Sequence, residues 1–181
     1  MLISRQKKQE NIIEYVLYMW QIEDLIRAYN FDLVALEKEI ISQFDLDSET
    51  NQEMVNWYDN LIQLMMNENK QESGHIRAIQ NIVDELEKLH LGLLESPFSP
   101  EYKKEFEALI PFIKDLLPKT NTNDKSLVEI LLETLYGVLM LKLKKEKISE
   151  QTQEAINKIS NFMSLLAKKY HQQENDEDFS L

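Results

Sequence analysis

Cysteine is absent from the chain, glycine occurs three times and proline four times in 181 residues. Without cysteine there is no disulfide framework, thiol nucleophile or thiolate zinc site. So little glycine and proline excludes a turn-rich β-sandwich or barrel. Positive charge is scarce as well. Twenty Lys and Arg stand against 32 Asp and Glu, a formal net charge of -12, and phosphate-backbone binding needs clustered cations. Long apolar runs are missing too, since no stretch approaches the roughly 18 uncharged residues that span a bilayer. Nor does the start read as a secretory signal. Met1, Leu2 and Ile3 precede the basic Arg5, Lys7 and Lys8, and the apolar run that follows carries Glu14. The composition therefore points to a soluble cytoplasmic protein with neither a nucleic-acid nor a membrane partner.

What is present suffices for a core. The chain is 43% hydrophobic and includes Trp20, Trp57, seven Tyr and seven Phe. A domain of this length buries about 70% of its unfolded surface. Apolar spacing is helical nearly throughout, so the expected fold is all-α. It is a single helical domain over residues 1–171, a bundle of six or seven helices, with an acidic frayed tail over 172–181.

The first segment, from about Gln6 to Tyr29, contains Ile12-Ile13-Glu14-Tyr15-Val16-Leu17-Tyr18-Met19-Trp20-Gln21-Ile22. A helix apolar on so many sides belongs at the centre of a bundle. Asp32 should cap a short helix reaching about Gln43, and Asp47 or Ser48 the next one. A continuous helix over 49–94 would be about 68 Å long, too long for a compact chain of this size. The polar run Asn67 to Gly74 should break it, near Ser73-Gly74. Ser99-Pro100-Glu101 starts a helix that Pro111 should kink or split. Asn123 or Asp124 should cap a helix from Lys125 to about Lys145, and Ser149 a last one to roughly His171. No internal repeat of fixed period appears.

Four groups of residues are candidates for chemistry. Trp20, Glu23, Asp24 and Arg27 lie on the first helix, and Glu23 and Arg27, four apart, can meet on an apolar side. They form either a charged pair lining a polar pocket or a structural ion pair. Glu-x-x-His occurs twice, as Glu72-Ser73-Gly74-His75 and Glu87-Lys88-Leu89-His90. That spacing serves carboxylate-bridged di-metal bundles. Here the motifs are about 22 Å apart along a helix, and paired metals lie about 4 Å apart. No metal or other cofactor is therefore assigned. His90 falls on the Ile79, Val83, Leu86 stripe and reads as a hydrogen-bonded core histidine; His75 reads as a helix-terminus cap. Met54, Met65 and Met66 beside Trp57 and Tyr58 form either a core seam or an adaptable groove. Lys142 to Lys147 is basic but ends a helix, where cations suit the dipole. No phosphate loop, nucleophile elbow or triad is present, and no catalytic residue is assigned.

The phrase from Ile13 to Ala28 resembles the opening of an uncharacterised family of small bacterial proteins. That family is described as a domain of unknown function and found mainly in Bacteroidetes-type bacteria. Glu72-Ser73-Gly74-His75 and Leu89-His90 match its later features. The resemblance covers nearly the whole chain, implies no activity, and transfers no binding or catalytic residue. From the residues themselves, the expected function is a non-catalytic interaction module with a protein partner or a second copy of itself. The alternative is a small-ligand or metal-binding bundle, even a hydrolase, with a polar pocket formed by Trp20, Glu23, Arg27, Glu72 and His75.

Overall fold

Asparagine 11 sets the first boundary of the fold. In the computed structural model, which describes residues 2–119 and 124–175, the opening segment is two helices, α1 (Leu2–Glu10) and α2 (Ile12–Ala28). The Asn11 side chain accepts the Ile13 amide at 3.0 Å and so caps α2, as Asx residues do at helix starts. The remaining helices are α3 (Leu33–Glu39), α4 (Ser48–Asn67), α5 (Arg77–Glu95), α6 (Pro100–Leu116), α7 (Leu127–Leu143) and α8 (Glu150–Asn175), with 3-10 turns at Ile41–Gln43 and Leu117–Lys119. The chain is all-α, and no strand occurs among the described residues. The expected six or seven helices become eight among those residues, because Asn11 divides the first; the break between α4 and α5 falls at 68–76, in the polar run that the sequence indicates.

Local chemistry explains the starts. Asp32 accepts the Val34 and Ala35 amides at 3.0 and 3.1 Å. Asp47 accepts the Thr50 amide at 2.9 Å and its hydroxyl at 2.8 Å. Ser149 accepts the Thr152 amide at 3.2 Å. The α7 cap is Ser126, in place of Asn123 or Asp124; Asn123 lies outside the described residues. Pro111 does not split α6, which runs unbroken across it. Proline removes one donor, and the carbonyl that loses it, that of Glu107, is in an exposed turn that water can satisfy. At its far end α8 continues past His171 to Asn175, into the stretch expected to fray; residues 176–181 lie outside the described residues.

Packing divides the chain into two compact units, residues 1–10 with 14–81 and residues 11–13 with 82–181. In the first, Val16, Met19, Trp20 and Ile26 of α2 are buried, as are Leu36, Ile41, Met54, Tyr58, Leu61, Ile62 and Met65. Met54 and Met65 are thus core, while Met66 emerges. In the second, Val83, Leu86, Leu93, Tyr102, Leu109, Val128, Leu131, Phe162 and Leu166 are buried. The α2 run that reads as greasy on every side is largely buried: Ile12, Val16, Glu23 and Ile26 have no exposed surface, while Glu14 emerges. No helix among the described residues is long and apolar enough to cross a membrane.

A buried carboxylate holds the turn before α5

Three positions on one face of α2, Trp20, Glu23 and Arg27, face the connection between α4 and α5. Glu23 is 0% exposed, and a lone carboxylate in that position would be strongly disfavoured. It is not alone. One oxygen accepts the Ile76 backbone amide at 2.9 Å, and the other lies 2.6 Å from Nδ1 of His75. The His75 ring stacks on the Trp20 indole with centroids 4.2 Å apart and 9° between planes. Arg27 reaches the same connection by another route. Its Nε donates to the Lys70 carbonyl at 3.1 Å, one terminal nitrogen donates to the Gly74 carbonyl, and the other pairs with Asp24 at 2.7 Å.

The expected Glu23–Arg27 pairing is therefore replaced by two separate clamps on residues 70–76. The reason lies in the connection itself. Asn69 and Gly74 both take left-handed backbone angles, φ 56 and 79. At Gly74 an added Cβ would meet only ordinary contacts on Lys70, so the angle, rather than space, calls for glycine there. These turns bring the Gly74 carbonyl to Arg27 and the following two residues to Glu23. A further acid, Glu68, accepts the Arg77 amide at 2.5 Å. Glu23 and Glu68 together satisfy amides at the α5 start that no helical partner reaches, with charge of the sign favoured at that end.

Of the five residues expected to form a pocket, three meet, Trp20, Glu23 and His75, and Arg27 holds the same connection separately through Lys70 and Gly74. Glu72 is exposed on the loop and stands outside these contacts. Glu68 and the Lys70 carbonyl were not indicated by the sequence, since neither carries a motif. Their part depends on the left-handed residues around them. Both oxygens of Glu23 are thus engaged inside the chain, and the side chain has no exposed surface. Among the described residues, no group of three or more His, Asp and Glu is placed to hold a metal ion.

The second Glu-x-x-His motif is used differently. Glu87 accepts the Val128 amide at 2.9 Å and so extends the cap of α7. His90 is buried, 2.8 Å from the Tyr102 hydroxyl, with Phe106 and Phe162 against its ring. Burial pushes the His90 pKa down, opposed by the nearby Glu87, and pushes the Tyr102 phenol up, helped by Glu87. Both partners are thus held neutral. A histidine whose folded pKa is depressed contributes stability above its unfolded value, about 6.5. That stability is lost as pH falls through the folded value, because the unfolded chain takes up the proton first. Stability of the wild type should accordingly decline from pH 6.5 downward more steeply than that of His90→Asn, measured by urea unfolding at a series of pH values. Parallel slopes would rule out this titration.

In the same unit, Phe112, Leu116, Ala155, Ile156 and Ile159, with Asp115, Thr134, Gln151 and Thr152, line a cleft of about 220 Å³ between α6, α7 and α8. No local pattern announces it, because three separate segments supply its walls.

No curated protein and no solved structure matches the chain. A family model does, over residues 1–177. The opening phrase on α2 and the Glu72–His75 segment, which the fold brings together at Glu23, both fall within that match. The chain belongs to the family described as Domain of unknown function (DUF4924).

Proposed function

We propose that the protein is a non-catalytic, cytoplasmic interaction module whose docking surface is the C-terminal half of α7. One observation carries this reading. Helix α7 is apolar around nearly its whole circumference (Leu-Val-Glu-Ile-Leu-Leu-Glu-Thr-Leu-Tyr-Gly-Val-Leu-Met-Leu-Lys-Leu), the pattern of a helix enclosed on all sides. Its first half obeys: Val128, Ile130, Leu131 and Leu132 are buried. Its second half does so only at Val138. Leu139 and Met140 are half-buried, Leu141 is 40% and Leu143 64% exposed. Apolar side chains grouped on one exposed helix end mark a surface that a partner covers. The ligand-pocket alternative has less support, because Glu23 and Arg27 spend their hydrogen bonds inside the chain.

The test is a Leu141→Lys/Leu143→Lys double variant, compared with the wild type on a phenyl-substituted column at submicromolar loading. The variant should keep its helical circular dichroism and its melting temperature while losing most of its retention. Unchanged retention, or loss of the fold, would place these side chains in the chain's own packing and end the reading.

A further inference from the structure

We infer that the cleft between α6, α7 and α8 binds a small organic cation, a primary ammonium carried on an apolar body about the size of a phenyl ring. The site belongs to the second unit alone. It goes beyond the docking surface proposed above and does not depend on it.

Size and wall chemistry set the body of the ligand. A cavity of roughly 150 Å³ lined by aliphatic and aromatic side chains takes a benzene ring, so the 220 Å³ here holds a ring with a short arm. Phe112 and Leu116 of α6 and Ile156 and Ile159 of α8 supply apolar wall. The two isoleucines are buried, whereas Phe112 and Leu116 are half-buried and keep surface that a ligand can cover. Removing that surface from water is favourable.

Charge sets the head. Among the described residues that line the cleft, Asp115 alone is charged. No described Lys, Arg or His pairs with it; the ion pairs of the described residues are Lys7–Glu14, Arg27–Asp24, His75–Glu23 and Lys125–Glu133. Asp115 also lies in the last turn of α6, where the helix dipole is negative and favours a cation. Thr134 adds an acceptor. Its hydroxyl donates to the Ile130 carbonyl at 2.8 Å, and the oxygen keeps lone pairs for an ammonium N–H. The first turn of α8 does not reverse this sign. Ser149 takes the Thr152 amide on its side chain and the Gln153 amide on its carbonyl, so those donors are spent. Glu150 brings a further negative charge to the same turn.

The experiment titrates the full-length, nitrogen-15-labelled protein with three probes followed by amide chemical shifts. Phenethylammonium, 2-phenylethanol and 3-phenylpropionate share a ring and a two-carbon arm and differ in the charge of the head. Phenethylammonium should saturably shift the amides of Asp115, Leu116 and the first turns of α8, with a dissociation constant on the order of 1 mM for so small a ligand. The alcohol should bind at least about threefold more weakly, the share that an exposed ion pair supplies, and the carboxylate more weakly still. Asp115→Asn should erase the preference for the cation, leave the affinity for the alcohol as it is, and keep the wild-type melting temperature, since Asp115 is exposed. Glu101→Gln removes an exposed acid from the opposite end of α6 and should keep the preference. The chain carries a net charge of -12; a preference that survived Asp115→Asn, or fell equally in Glu101→Gln, would belong to that overall charge and overturn the assignment of Asp115. Equal affinity for all three probes would overturn the cation. No saturable shift at the cleft up to about 20 mM, well above the expected constant, would overturn the site. None of these failures touches the α7 surface, which is read by the column retention of the Leu141→Lys/Leu143→Lys variant.

Discussion

Trp20→Ala is expected to destabilise the fold by about 4 kcal/mol, the largest loss of any single substitution considered. The indole is 1% exposed and fully enclosed, so its removal forfeits the burial of a large side chain and leaves a cavity. It also withdraws the face on which His75 stacks at 4.2 Å, so the damage extends to the connection before α5. Urea unfolding followed through Trp57, which lies in the same unit, measures the effect. Trp57 itself is only half-buried, and Trp57→Ala, followed by circular dichroism, should lose clearly less. Equal losses would mean that the α2 face is not the anchor of this unit.

Glu23→Ala comes second, at about 3 kcal/mol. Breaking a buried pair by removing one partner typically costs about 3–5 kcal/mol; the lower end applies because the His75 side chain is 21% exposed and water can reach it. The Ile76 amide has no such relief, since Ile76 is buried. Glu23→Gln keeps an acceptor for that amide and offers an N–H toward His75, so it should lose only about 1 kcal/mol, the net worth of one hydrogen bond. The gap between Ala and Gln separates a loss of bonding from a loss of volume.

How far the sequence disclosed this arrangement depends on the range of the interaction. The burial of α2 was legible because it is a property of eleven consecutive residues. The caps at Asp32, Asp47 and Ser149 were legible because a capping side chain bonds within three residues of itself. Asn11 has the same chemistry, yet it sits between two helical patterns of matching period, and periodicity alone does not reveal a break there. Pro111 misled in the other direction, since the cost of a proline depends on whether the orphaned carbonyl can reach water. The α2 cluster was half legible. Trp20, Glu23 and Arg27 share a face by helical geometry, but the partners of Glu23 are 52 and 53 residues away. Their arrival depends on left-handed turns at Asn69 and Gly74, and those same turns leave Glu72 facing solvent. On α7 the sequence and the fold disagree outright. The composition asks for enclosure on all sides, and the chain provides it for the first half and, beyond it, for Val138 alone. That disagreement is the physical ground for the docking surface.

The account holds that Glu23 and His75 fasten the turn before α5. A double-mutant cycle of Glu23→Ala and His75→Ala in urea, read through tryptophan fluorescence at neutral pH, addresses that directly. Both single variants should be less stable than the wild type, with a coupling of at least about 1 kcal/mol between them. Side chains retained for catalysis are commonly neutral or stabilising to remove; a gain in stability in either single variant, or additive effects, would contradict the account.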